Sequence, residues 1–246
     1  ALGTADPARE RLLGVVYTFS AYVLWGFLPL YFLALAPTGP WEVVGLRVVF
    51  SIIFCLVLLT LLRAWPRFLA VARNRRSLVL TAVAGVLVYV NWQIFLIGTL
   101  SGNVLETSLG YFINPLFTVL LAVLVLRERL RITQWIALGI AGVAVAVIIV
   151  GYGTFPWIAL SLAASFSLYG LVKNRLGPSV DAVSGLTLET FWLLPIAIVQ
   201  LVIVQLTTGL TFGTGPAWHT LLLCLAGIVT MTPLLFFAAG ARRIPL

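Results

Sequence analysis

"LETSLGYFINPLFTVLLAVLVLRERLR", from Leu105 to Arg131, contains an apolar run long enough to cross a bilayer, yet it carries Glu106, Asn114 and Pro115. A hydrocarbon core takes roughly 20 apolar residues per helix. In water these polar groups would simply be solvated. In lipid they must face protein or a wet cavity, because an unsatisfied polar group is costly there. The solvent in which the chain folds therefore has to be settled first.

Composition settles it. Of 246 residues, 62% are hydrophobic and 9% are charged, and the mean hydropathy is +1.14. An ordinary soluble domain carries about a quarter charged residues. This chain cannot cover a globule with polar side chains, so the bilayer is its partner. The expected class is an all-α, polytopic membrane protein. The net charge of +8 does not point to nucleic acid. Its basic residues sit in short clusters between apolar runs, without the aromatic interleaving that binds single strands. Cys55 and Cys224 lie inside apolar runs as small hydrophobes, too few for a disulfide framework. The sole histidine, His219, reads as a solvated residue where a polar loop meets an apolar run. No metal or other cofactor is expected.

Eight spans follow from counting apolar runs: Leu13–Ala34, Trp41–Leu62, Ser77–Thr99, Val104–Leu126, Thr133–Val150, Phe155–Val172, Ala182–Leu206 and Trp218–Gly240. Turn chemistry separates them, in "APTGP", "SGN", "GYGTFP", "RLGPS" and "TTGLTFGTGPA". The first run is too long for a cleaved leader and lacks a small-residue cleavage site. Residues 1–12 read as a polar tail, and the missing initial Met suggests a longer translated product.

Basic residues set the orientation. Arg9 and Arg11 precede the first span; Arg63, Arg67, Arg73, Arg75 and Arg76 follow the second. Arg127, Arg129 and Arg131 follow the fourth, Lys173 and Arg175 the sixth, and Arg242 and Arg243 the eighth. Fourteen of the fifteen basic residues thus fall on one side, which places both ends of this chain in the cytoplasm. The exception is Arg47, about 9 Å inside the outer boundary. Glu106 starts its span from the same side, so an Arg47–Glu106 ion pair is a candidate contact.

The chain repeats itself. "YVLWGFLPLYF" (Tyr22–Phe32) echoes "FSLYGLVKNR" (Phe166–Arg175), and "VVGLRVVFS" (Val43–Ser51) echoes "VSGLTLETF" (Val183–Phe191). "FLIGTLSGNVL" (Phe95–Leu105) echoes "FFAAGARRIPL" (Phe236–Leu246) at nearly the same offset. The first unit, residues 13–150, has five spans. An odd number inserts the second copy, residues 151–246, with inverted topology, as is common in secondary transporters. That second copy holds three spans, so the repeat predicts two further helices after Leu246.

"VNWQIFLIGTLSGNVLETSLGYFINPLFTVLLAVLVLRERLRITQW" (Val90–Trp135) closely resembles the RarD branch of the EamA family, in the drug/metabolite transporter superfamily. "FSLYGLVKN", "GLTLETFWLLP" and "TPLLFFAAGARRIPL" continue the resemblance, which runs from about Gly14 to Leu246. It implies ten helices in two inverted five-helix repeats, alternating access, and export of small metabolites or drugs across a bacterial inner membrane. It does not supply a substrate or an oligomeric state. Relative to this pattern the second repeat stops before the counterparts of Glu106–Leu126 and of the fifth helix.

Several residues could carry chemistry. Pro115 removes a backbone donor and frees the carbonyl near Tyr111, so Asn114 and Pro115 make a polar notch at mid-membrane depth. The same notch can be read as a structural kink held by a neighbouring helix. Asn91 and Trp92 lie roughly 13 Å from the outer end of their span. Tyr111 and Trp25 can add aromatic faces to the same substrate path. Trp41, Trp65, Trp135, Trp157 and Trp218 sit at span ends and suit the interfacial belt. Glu189 lies roughly 10 Å from the cytoplasmic boundary. It reads either as a group that loads and releases a proton or as a buried carboxyl joining helices, and Glu106 shares that ambiguity. "MTP" at Met231–Pro233 breaks a second span, while Ser161 and Ser165 read as small residues that allow close helix contact. No P-loop, GxSxG, HExxH or paired-carboxylate pattern appears, so an enzyme is not expected. The alternative to a transporter is a non-transporting assembly or scaffold protein, which needs neither the mid-membrane prolines nor the inverted repeat.

Overall fold

A computed structural model of the chain describes residues 7–125, 127, 130–153, 155–176 and 180–241. Among these residues there are nine α-helices and no strand. They are α1 (Pro7–Leu33), α2 (Pro40–Leu61), α3 (Trp65–Arg73), α4 (Arg75–Leu100), α5 (Val104–Val125), α6 (Ile132–Tyr152), α7 (Trp157–Leu176), α8 (Ala182–Thr207) and α9 (Ala217–Ala241). Eight of them correspond to the eight predicted spans. Seven are long and apolar enough to cross a membrane. α7 falls outside that set because Ser161, Ser165, Ser167, Lys173 and Arg175 dilute its apolar character.

The ends follow local chemistry. Pro40 opens α2, where its missing N–H removes no helical hydrogen bond. The Asn74 side chain accepts from Ser77 N at 3.1 Å to cap α4, and Asp181 accepts from Ser184 N at 3.1 Å to cap α8. Gly153, at φ 72°, ends α6 in the left-handed conformation that glycine adopts without a Cβ penalty.

α3 is a correction, because the count of apolar runs assigns no helix between Leu62 and Ser77. Nine residues are too few to span a bilayer, and the arginines obscured the pattern beneath them. Ala64, Phe68 and Val71 recur at helical spacing, and α3 lies against α8.

The chain forms two compact units, Ala1–Ala82 with Pro178–Leu246, and Val83–Gly177. The first combines the N-terminal third of the chain with its C-terminal segment, and the second is the stretch between them. In the first, α1 packs on α9, and α2 packs on α8 and α9. Its core includes Phe32, Val43, Val44, Leu59, Leu223 and Ala226. α9 approaches α2 backbone to backbone at Gly227, where an added Cβ would lie 2.3 Å from the Phe50 carbonyl carbon. In the second unit, α5 packs on α7 and touches α6. Ile113, Val145, Ala159 and Ala163 form its apolar centre, joined by Leu109, Leu116, Phe117 and Ile149. Exposed apolar side chains such as Phe19, Phe27, Ile140, Val143 and Val147 are what a lipid-facing surface requires.

Candidate functional site

The second unit gathers three of the sequence-predicted path residues around α7. Asn91, on α4 and 1% exposed, donates from Nδ2 to the Leu162 carbonyl at 3.1 Å and to Ser165 Oγ at 3.0 Å. Ser165 Oγ donates in turn to the Ser161 carbonyl at 2.7 Å. On α5, the Tyr111 hydroxyl donates to Asn91 Oδ1 at 3.3 Å. Phe95 and Phe166 approach the Tyr111 ring edge-on, with centroids at 5.8 and 6.0 Å. One amide thus ties three helices together, with an aromatic rim around it. Trp92 lies beside Asn91 in sequence and is also buried.

Asn114 stands one turn further along α5. Its Oδ1 accepts from Ser167 Oγ at 2.6 Å, and its carbonyl accepts from Thr118 Oγ1 at 3.0 Å and Ser167 Oγ at 3.1 Å. α5 continues through Pro115. The polar notch is therefore bridged from α7 by a serine that the sequence reading did not single out. Ser165, expected from its spacing to be a small packing residue, also accepts from Asn91. The two serines lie two residues apart in an apolar helix, Ser165 facing Asn91 and Ser167 facing Asn114.

Glu106, 6% exposed, accepts from Ile158 N at 2.9 Å and so caps the first turn of α7. In the first unit, Arg47, 3% exposed, donates from Nε to Thr230 Oγ1 on α9, and its guanidinium lies 5.1 Å from the centroid of the Phe32 ring. Each of the two charged residues thus has a partner within its own unit. Trp25 is half-buried, with Tyr22 and Phe237 both at 5.4 Å between ring centroids. Glu189 is 2% exposed on α8, close to Cys55 on α2, and Thr187, on the same turn of α8, donates to the Val183 carbonyl at 2.7 Å. Trp41, Trp65, Trp135, Trp157 and Trp218 are all exposed at helix ends, whereas Trp92 is buried.

Sequence reading missed a polar cluster where the α1–α2 turn meets the α8–α9 turn in the first unit. Glu42, 2% exposed, accepts from Thr211 N and Phe212 N, each at 2.8 Å from Oε1. Thr38 Oγ1 lies 2.6 Å from Thr211 Oγ1 and 3.1 Å from His219 Nε2, which also meets the Leu35 carbonyl at 3.0 Å. His219 is only 3% exposed, which corrects its reading as a solvated residue. The α1–α2 turn covers it. The available signal was an acidic residue in the first turn of a membrane helix, as with Glu106. A groove of 840 Å³ opens beside this cluster, lined by Trp41, Gln200, Ile203, Thr207 and Thr211 among others. None of the predicted path residues lines it.

The EamA-like transporter family model matches residues 12–150. Over 238 residues the chain is 41% identical to Protein RarD of Streptomyces exfoliatus, covering 97% of this chain and 75% of that protein. It is 38% identical to Protein RarD of Escherichia coli strain K12, over 97% of this chain and 80% of the relative. An uncharacterized transporter of Vibrio cholerae is 40% identical, over 97% of this chain and 78% of its own length. No solved structure matches the chain.

Proposed function

The chain belongs to the EamA-like transporter family, and from that premise we propose that it exports small metabolites or drugs by secondary-active alternating access. The proposed setting is a bacterial inner membrane, with both ends of this chain cytoplasmic. The observation that carries the reading is the amide-and-aromatic cluster of Asn91, Tyr111 and Ser165 near mid-membrane depth. Polar groups near the bilayer midplane are where secondary transporters bind their cargo. Asn91 and Asn114 offer neutral donors and acceptors, and Tyr111, Phe95 and Phe166 offer ring faces. Such a lining suits a small, partly aromatic or amphipathic solute rather than a bare ion.

Glu189 is the carboxyl we assign to proton coupling. Glu42 and Glu106 are engaged with backbone amides at helix ends and loops, which suits them to structural work. Glu189 instead sits inside α8, among Thr187, Thr190 and Cys55. Flux of labelled candidate solutes in proteoliposomes tests the proposal. Tyr111→Phe, which keeps the ring and loses the hydroxyl, should remove most of the flux with a near-normal melting temperature. Asn91→Ala should remove the flux at a modest cost in stability, because it unties a buried amide from its partners. Loss of folding in both variants would make the cluster structural and sink the reading.

A further inference from the structure

We propose that α3 and the arginines flanking it form a docking surface for anionic phospholipid headgroups of the leaflet they face. Between Arg63 and Arg76 the chain carries five arginines, and no Asp or Glu lies anywhere between Glu42 and Glu106. Arg63, Arg67, Arg73, Arg75 and Arg76 are all exposed, and among the described residues no carboxylate pairs with any of them. Fourteen residues thus present five uncompensated charges.

The helix has the faces of an interfacial element. Ala64, Phe68 and Val71 turn toward protein, with Ala64 and Val71 buried. Trp65, Leu69 and Arg73 follow one another at successive turns and are all exposed, Trp65 to 38% and Leu69 to 47%. Leu61 and Leu62, at the end of α2, are exposed just before them. An apolar strip therefore runs directly into guanidinium groups. That order matches the passage from acyl chain to headgroup. Trp65 is held in place, since its Nε1 donates to Thr60 Oγ1 at 3.2 Å and its ring meets Phe68 edge-on at 5.9 Å. A tryptophan fixed at such a boundary marks headgroup depth.

Charge complementarity selects the occupant. A zwitterionic headgroup offers no net charge to five arginines, whereas each one near an anionic surface adds a favourable contribution. The other basic clusters contain two or three residues, and among the described residues none flanks a short helix with an exposed apolar strip. Orientation alone would not require that helix.

The test uses the purified 246-residue chain in mild detergent, with phosphatidylglycerol and phosphatidylcholine as probes. Retained lipid is measured by native mass spectrometry, and stabilisation by thermal melting. The chain should retain phosphatidylglycerol about tenfold or more over phosphatidylcholine, with the preference collapsing at high salt. The doubly substituted Arg67→Gln, Arg73→Gln protein should lose most of that preference while melting normally without lipid. The control Arg9→Gln, Arg11→Gln protein should keep it. An unchanged preference in the α3 variant, or an equal loss in the control, would overturn the proposal. So would stabilisation by inorganic phosphate equal to that by phosphatidylglycerol, since the site would then recognise a free anion.

Discussion

Glu42 Oε1 lies 2.8 Å from the backbone nitrogens of both Thr211 and Phe212, so one buried carboxylate ties the start of α2 to the α8–α9 turn. Oε2 adds Thr211 N at 3.0 Å and Thr211 Oγ1 at 3.2 Å. Charged acceptors strengthen such bonds, and removing them leaves buried donors unmatched. Glu42→Ala should therefore destabilise the protein by about 3 kcal/mol in detergent melting. Glu42→Gln should cost less, because one oxygen still serves the two amides and the new NH₂ can donate to Thr211 Oγ1. Because Thr38 links Thr211 to His219, Glu42→Ala and His219→Ala should combine to less than the sum of their separate costs. Full additivity would mean that the chain of contacts is not a network.

Gly227 offers a steric test. A Cβ there would sit 2.3 Å from the Phe50 carbonyl carbon and 2.6 Å from Ser51 N, both backbone atoms of α2. Neither can rotate away, unlike the Leu201 side chain that faces Gly45. Gly227→Ala should cost about 1–3 kcal/mol, and Gly227→Leu should abolish folding. Gly45→Ala should be milder. An unchanged melting temperature for Gly227→Ala would show that α9 and α2 are not in backbone contact.

The proposed orientation makes a labelling prediction. Membrane-impermeant thiol reagents applied from outside should reach a cysteine at Asn103 or Thr208 and miss one at Arg75. Thr208 is a better probe than Gly209, whose φ of 79° strains any other residue. All three chosen positions are exposed, so accessibility separates them only by side. Cys55 is buried, and Cys224 should be replaced by Ser to remove background. Labelling of Arg75 alone would reverse the topology and every depth assigned from it.

Helices were legible in the sequence because lipid imposes a minimum apolar length, and runs such as Val183–Leu206 satisfy it without ambiguity. Asn91, Asn114 and Glu189 were legible because a polar group in such a run needs a partner. What the sequence did not give away was which partner. Ser165 and Ser167 differ from any packing serine only by what faces them across a helix interface. α3 stayed hidden because its periodicity covers nine residues beneath a dense charge pattern. His219 was misread because burial at a span end depends on the loop above it, and a linear count cannot see that loop fold back.

Glu189 supports the most discriminating functional prediction. The residue is 2% exposed inside α8 and has an interaction partner. A buried carboxyl that is only structural and one that carries a proton differ in what the neutral amide does. Glu189→Gln keeps size and hydrogen bonding but can neither take up nor release a proton. If the carboxyl couples transport to a proton gradient, the variant should bind solute within a fewfold of the unaltered protein. It should still exchange solute across proteoliposomes loaded on both sides, yet fail to concentrate it when a pH gradient is imposed. If the carboxyl only joins helices, Glu189→Gln should transport with unchanged pH dependence, and Glu189→Ala should lose stability by about 1–3 kcal/mol. Uphill transport by Glu189→Gln with its pH dependence intact would remove the proton role while leaving the Asn91–Tyr111 cluster untouched, because that cluster is tested by its own variants.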